Sequence, residues 1–144
     1  MIDLIRTQQI IKNTKTKGDI SEYKVIARLL ELGHKLLLPV GEDSRYDLLI
    51  DLNGDFKRVQ IKTGRYKDGY VAFATQSNRK SGDLNISRNY NDQIDYFIVY
   101  CLQLNSFYII EPNDVTDGNA IRLRVDPSKN NQSKGIRWAK DYSL

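Results

Sequence analysis

Two carboxylates, one amide and one lysine give this chain its recognisable chemistry. Glu22 lies near the start of a helix-like stretch, Asp47 opens the strand-like run Asp47-Leu48-Leu49-Ile50, and Gln60 and Lys62 stand two apart in Val59-Gln60-Ile61-Lys62-Thr63. Side chains alternate faces along a strand, so Gln60 and Lys62 share one side while Val59 and Ile61 take the other. Asp47, at the start of the partner strand, can reach the side of Gln60 and Lys62. A carboxylate, an amide oxygen and the backbone carbonyl of Ile61 are hard oxygen donors of the kind Mg²⁺ takes, with water and phosphate completing its octahedron. Lys62 would stand beside the ion. Hydrolysis of a phosphodiester needs a deprotonated water, neutralisation of the charge growing on phosphorus and stabilisation of the leaving oxygen, and a metal with one lysine supplies these.

The elements that must position these groups can be read from turn and periodicity signals. Asn53-Gly54 between the apolar stretches Leu48 to Leu52 and Phe56 to Thr63 predicts a two-residue hairpin. Asp19 to Leu32 places Tyr23, Ile26, Ala27 and Leu30 at helical spacing before Gly33, and this helix is expected to pack on the sheet. Asp19-Ile20-Ser21-Glu22 also fits a capping box with Asp19 as N-cap, which gives Glu22 a purely structural reading beside the chemical one. Lys35 to Val40 reads as a short strand, followed by a charged loop from Glu42 to Arg45. Ile94 to Leu102 and Phe107 to Ile110 read as core strands, with Tyr96, Tyr100 and Tyr108 as core residues rather than a stacking platform for bases. Ile121 to Val125 reads as a short edge strand, and Lys134 to Leu144 as a basic tail carrying Trp138.

Glu22, Asp47, Gln60 and Lys62, in this order, resemble the signature of the PD-(D/E)XK nucleases, and specifically the small branch that includes group I intron-encoded homing endonucleases. The likeness runs roughly from Gly18 to Pro112. It implies an α/β restriction-endonuclease-like core, a mixed sheet flanked by helices, in a single domain over residues 1–144. It further implies that Glu22 and Asp47 help bind a divalent ion, Mg²⁺ or Mn²⁺, with Glu22 acting through water, and that Lys62 orients or activates the attacking water. Two departures stand out. Tyr46 replaces the proline, which is harmless, and Gln60 replaces the usual acid, which removes one negative charge from the metal site. The homing-endonuclease branch accepts glutamine at that position. The implied function is a site-specific, Mg²⁺-dependent double-strand DNA endonuclease of the homing type. A Holliday-junction resolvase, a repair nuclease of the same fold and a non-cleaving DNA-binding relative stay open beside it. One chain offers one site, so cutting both strands implies a homo-oligomer, a dimer or tetramer reading a long target, with the apolar arm from Ile2 to Ile11 or the C-terminal tail as its interface.

The segment from Thr63 to Tyr90 carries the candidate reading element. Tyr70 to Gln76 is expected as a strand, Ser77 to Asp83 as a polar turn and Leu84 to Arg88 as the returning strand. Such a two-stranded ribbon has the dimensions to enter a DNA major groove. Arg65, Lys67, Gln76, Arg79, Lys80, Asn85, Ser87 and Arg88 are the candidate DNA contacts. From Lys57 to Arg88 basic residues outnumber acidic ones eight to two, the placement that phosphate contact favours, although the net charge is only +4.

Bulk properties bound the answer without choosing it. With 144 residues the chain suits one domain and one core. No apolar run approaches the roughly 20 residues of a membrane span, and the N-terminal stretch lacks a secretory pattern, so a cytoplasmic location is expected. The single cysteine, Cys101, excludes a disulfide framework and reads as a core residue in a reducing compartment. The single histidine, His34, follows Gly33 and gives Ser-His-Asp chemistry little support.

Overall fold

The computed structural model describes residues 11–81, 84–89, 92–114 and 119–144, and over 77–89 it describes the backbone alone. The arm from Ile2 to Ile10 lies outside the described residues.

Helix α1 (Thr14–Glu31) begins earlier than the sequence pattern implied. Its N-cap is Asn13, whose Oδ1 accepts from the Lys15 N–H at 2.8 Å. Gly18 falls inside the helix, where a side chain would meet nothing, and the local Asp19 capping signal is overridden. Glu22 is therefore an interior helical residue and caps nothing. The C-terminus follows expectation: Gly33 takes φ +84°, its N–H bonds to Leu30 O at 2.9 Å, and the His34 N–H bonds to Leu29 O at 3.1 Å. That pair of bonds is a Schellman motif, which needs a left-handed residue at this point.

The helix does pack on the sheet, but not along the stripe read from its apolar spacing. Ser21, Val25 and Leu29, at i, i+4 and i+8, are buried, whereas Tyr23 is 72% and Leu30 56% exposed. Val25 and Leu29 meet Leu48, Ile50, Val59, Ile61, Ile98 and Tyr100 in one apolar cluster. Branched side chains fit the close approach of helix to sheet, and the larger tyrosine is left outside.

Five strands follow before the second half of the sheet: β1 (Lys35–Leu37), β2 (Leu48–Leu52), β3 (Asp55–Lys67), β4 (Tyr70–Ala74) and β5 (Gln76–Ser81). The rest are β6 (Leu84–Asn89), β7 (Tyr96–Cys101), β8 (Ser106–Ile110) and β9 (Ala120–Arg124). Strand β1 stops three residues short of the expected Val40, before Pro39, which has no N–H to give, and Gly41, at φ +90°. The β2–β3 hairpin forms as predicted. Asn53 (φ 57°) and Gly54 (φ 92°) supply the two positive φ values of a type I′ turn, and the Asp51 carboxylate accepts from the Gly54 N–H at 2.6 Å.

Strand β3 organises the molecule. Its first half pairs antiparallel with β2 and parallel with β7, its last residues pair antiparallel with β4, and β4 pairs with the edge strand β9. With β1 beyond β2 and β8 beyond β7, seven strands make one mixed sheet. The turn from one half to the other passes through Gly64. A Cβ there would come within 2.8 Å of Val71 Cγ1 and 2.9 Å of Val99 Cγ1, so only glycine lets β3 approach both neighbours. The parallel β3–β7 register is pinned by Arg58 and Asp95: the Asp95 carboxylate takes the Arg58 backbone N–H at 2.7 Å and its guanidinium at 3.1 and 3.2 Å.

Strand β7 alternates between two apolar clusters, as a strand buried on both faces must. Ile98 and Tyr100 face α1, while Phe97, Val99 and Cys101 join Val71, Phe73, Ile110 and Leu123 on the other face. Tyr100 and Tyr108 are buried at 4% and 5% exposure, so the core reading holds for them, whereas Tyr96 is only partly buried at the edge of the α1-facing cluster. The C-terminal segment is not a loose basic tail. Trp138 bridges to Arg124, Ser143 bridges to Tyr108, Ala139 is buried, and Arg28 donates twice to the Leu144 carbonyl oxygen, which ties α1 to the end of the chain. The expected polar turn over 77–83 is corrected as well. The chain bends at the buried Thr75, and β5 continues to Ser81, paired with β6 as a separate two-stranded sheet.

Candidate active site

Strand β2 leaves β3 at Leu48, and the candidate residues gather in the fork. The Asp47 N–H makes the last ladder bond, to Val59 O at 2.8 Å, and its side chain then continues the ladder in place of backbone: Oδ2 accepts from the Ile61 N–H at 2.6 Å. Along a strand a residue's N–H and C=O point the same lateral way, so the Ile61 carbonyl opens into the same fork. Oδ2 also accepts from the Gln60 amide nitrogen at 2.7 Å. Both bonds end on Oδ2, and a cation would take Oδ1.

Burial along β3 bears out the predicted alternation. Val59 and Ile61 are buried and Gln60 and Lys62 half-buried. Helix α1 covers the Val59 and Ile61 side, so Glu22 arrives from one face and Gln60 from the other, and they meet only because the sheet opens at Asp47. Glu22, Asp47, Gln60 and Ile61 line one cleft of about 300 Å³ together with Lys15, Asp19, Ser21 and Thr63. A neighbouring cleft of about 380 Å³ again contains Glu22 and Asp47, walled by Pro39, Glu42 and Tyr46.

The electrostatics report the same convergence. Burial, opposed by the Ile61 N–H, lifts the Asp47 carboxyl from its ordinary 3.8 to about 6; the Glu22 charge adds to the rise and the Lys62 charge reduces it. Asp47 thus feels both Glu22 and Lys62 directly. A divalent ion between the two carboxylates would remove the penalty that burial and mutual repulsion impose. The donor set fits a hard cation: Asp47, the Ile61 carbonyl, Glu22 and, once its amide turns oxygen inward, Gln60. Among the described residues no three His, Cys, Asp or Glu side chains are placed so that together they could hold a metal ion.

The candidate DNA contacts divide. Arg65 lines a broad cleft of about 780 Å³ with Lys17, Thr63, Gly64 and Gln103, which adjoins the Glu22–Asp47 cleft at Thr63. Lys67 is exposed at the end of β3. Gln76 opens the ribbon opposite Asn89, and the backbone register sets Arg79 opposite Ile86, Lys80 opposite Asn85, Asn78 opposite Ser87 and Ser77 opposite Arg88. The side chains of Arg79, Lys80, Asn85, Ser87 and Arg88 lie outside the described residues. Ser21 and Thr63 line the cleft as well, although neither stands among the residues the sequence singled out for the site. A polar residue on the i, i+4, i+8 stripe with Val25 and Leu29 was the available signal for Ser21.

No curated protein matches the chain in sequence. Among solved structures it is similar to a bacterial homing endonuclease, I-Ssp6803I, with 25% identity and a TM-score of 0.75 over 91% of this chain and 88% of that one. The restriction-endonuclease-like fold seen there is the one built here around β3. A family model described as PD-(D/E)XK endonuclease matches residues 12–144, which takes in the helix, the fork and the whole sheet. By that match the chain belongs to the PD-(D/E)XK endonucleases and, with the structural likeness, is a DNA endonuclease.

Proposed function

We propose that this endonuclease is a site-specific, Mg²⁺-dependent enzyme of the homing type that cuts both strands of a long DNA target. The observation that carries the proposal is the fork itself, in which a half-buried carboxylate, a second carboxylate and an inward backbone carbonyl line one cleft while the Lys62 charge acts on Asp47. Mg²⁺ or Mn²⁺ held by Asp47, the Ile61 carbonyl, Glu22 (through water) and Gln60 would supply acidification of a water and neutralisation of phosphoryl charge. The chain's own groups do the rest. Asp47, fixed by the Ile61 N–H, presents its second oxygen, and Lys62 holds the attacking water in line or takes its proton. Lys15, Lys17 and Arg65 meet the flanking phosphates along the adjoining clefts. The β5–β6 ribbon, six residues a strand and so about 20 Å long, is suited to a major groove, where arginine and asparagine read base edges.

The described residues carry one such fork per chain, so cutting both strands calls for a homo-oligomer and a target with matching symmetry. The similarity to a bacterial homing endonuclease supports a long target over a short restriction-type one. Cleavage of a randomised DNA library in Mg²⁺, with the ends sequenced, tests the proposal. Defined ends at a long consensus, lost in EDTA and in Asp47→Asn, are expected. Scattered ends at a short motif would remove the homing reading, cutting confined to four-way junctions would make the enzyme a resolvase, and binding without cutting would make it a lapsed relative.

A further inference from the structure

A small polar cluster stands inside a largely apolar helix–sheet interface. Ser21, 1% exposed, donates its hydroxyl proton to the Lys17 carbonyl at 3.0 Å, and its oxygen lies 2.7 Å from the Thr63 hydroxyl. The Thr63 hydroxyl also reaches the Lys17 carbonyl, at 3.5 Å, so the two hydroxyls share that acceptor and either can donate to the other. The neighbours of this pair in the chain are the point. Ser21 directly precedes Glu22, Thr63 directly follows Lys62, and both hydroxyl-bearing residues line the cleft that holds Asp47 and Gln60. The bond joins residues 42 apart in sequence and ties the element that brings Glu22 to the one that brings Gln60 and Lys62.

Cohesion does not require it. Val25, Leu29, Val59 and Ile61 already hold α1 to the sheet, and replacing two bonded hydroxyls by apolar groups of the same shape is nearly neutral for stability. Apolar contacts, however, are non-directional and let a helix slide along its axis, whereas a hydrogen bond fixes the spot at which it rests. A displacement of about 1 Å in a reacting constellation costs on the order of a hundredfold in rate.

We propose that the Ser21–Thr63 hydrogen bond sets the separation between Glu22 and the Asp47–Lys62 side of the fork, making Ser21 and Thr63 positioning residues for phosphodiester cleavage. The inference rests on the nuclease reading above.

Thr63→Val keeps the shape and removes one hydroxyl, Ser21→Ala removes the other, and Thr63→Ser restores the hydroxyl at 63. In Thr63→Val and in Ser21→Ala, the single-turnover cleavage rate at saturating DNA is expected to fall roughly 10- to 100-fold. DNA affinity in EDTA stays close to that of the unaltered chain, and calorimetric Mn²⁺ affinity weakens because Glu22 is no longer held in place. The melting temperature falls in each single variant, which leaves one hydroxyl without its partner, and returns toward that of the unaltered chain in the double variant Ser21→Ala/Thr63→Val, while cleavage stays slow. Thr63→Ser recovers most of the rate and of the Mn²⁺ affinity. Unchanged rate and Mn²⁺ affinity in both apolar variants, in an unaltered chain that cuts DNA, would overturn the positioning role and leave the nuclease reading intact. A cleavage rate that tracks the melting temperature, low in the single variants and recovered with stability in the double variant, would make the bond merely structural. An unaltered chain that binds Mn²⁺ and DNA but cuts neither linear nor branched substrates would remove the nuclease reading and the role with it.

Discussion

Replacing Asp47 by asparagine should abolish metal-dependent cleavage and yet stabilise the metal-free protein at neutral pH. In the folded chain the carboxyl titrates at about 6 instead of 3.8, chiefly because it is buried, with the Glu22 charge adding to the effect. The folded state therefore keeps a proton that the unfolded state has already released between those two values. Stability falls as pH rises from about 4 to about 6 and is level above that. Raising a carboxyl from 3.8 to about 6 costs its ionised form about 3 kcal/mol at most. Asparagine carries no charge to desolvate, and its oxygen can still accept from the Ile61 N–H, while Gln60 turns its amide to receive the new NH₂. The assay is urea or thermal unfolding of both proteins in EDTA from pH 4 to 8. Their curves should meet near pH 4 and separate toward pH 7, with Asp47→Asn melting higher by on the order of 10 °C. Mg²⁺ should then raise the unaltered protein and leave the variant where it is, since an ion bound only to the folded state adds its binding energy. Parallel curves across the range, or a variant that melts lower at pH 7, would refute the argument that Asp47 is held at an electrostatic cost.

Lys62→Ala should lower the single-turnover rate by about a hundredfold or more while DNA affinity in EDTA changes little; normal cutting by a folded variant would remove Lys62 from the mechanism. Gln60→Glu should strengthen Mn²⁺ binding, read by calorimetry, and a weaker affinity would argue against position 60 as a ligand. Gly64→Ala should cost about 1–3 kcal/mol in urea unfolding, because the added methyl runs into Val71 and Val99; a neutral result would mean that β3 and β4 separate more easily than their packing implies.

What could be read from the sequence was what local rules determine. Asn53-Gly54 demanded two positive φ values and received them, which set the β2–β3 register and with it the shared face of Gln60 and Lys62. Gly33 ended α1 for the same kind of reason. The misses fell where tertiary contact decides between equal local signals. Asn13 and Asp19 are both good N-caps, and the helix takes the earlier one, where Asn13 Oδ1 accepts from the Lys15 N–H. The buried stripe of α1 includes a serine, invisible to an apolar count, because its partner is a threonine 42 residues away. The docking of the C-terminal segment through Trp138 and Ser143 likewise rests on contacts with distant strands. At the site, the four residue types and their order were legible, and the fork that gathers them was not, since it depends on Asp47 substituting for backbone at the end of β2.

Glutamine at position 60 then has a physical rationale in the metal-free state. The Gln60 amide donates to the Asp47 oxygen that also takes the Ile61 N–H, so a carboxylate already burdened by burial and by Glu22 gains a second neutral donor. A glutamate there would remove that donor and bring a third negative charge into the fork, pushing the Asp47 carboxyl still further up and making the empty site harder to fold at neutral pH. The same change would deepen the well for a divalent ion. Stability without metal and affinity for metal therefore pull in opposite directions at this one position. Gln60→Glu should reach half-maximal cleavage at a lower Mg²⁺ concentration while unfolding at lower urea in EDTA, and the deficit should shrink on acidification toward pH 4 as the carboxyls protonate. If stability in EDTA and the metal dependence of cleavage both stayed put, the amide would be a bystander to Asp47.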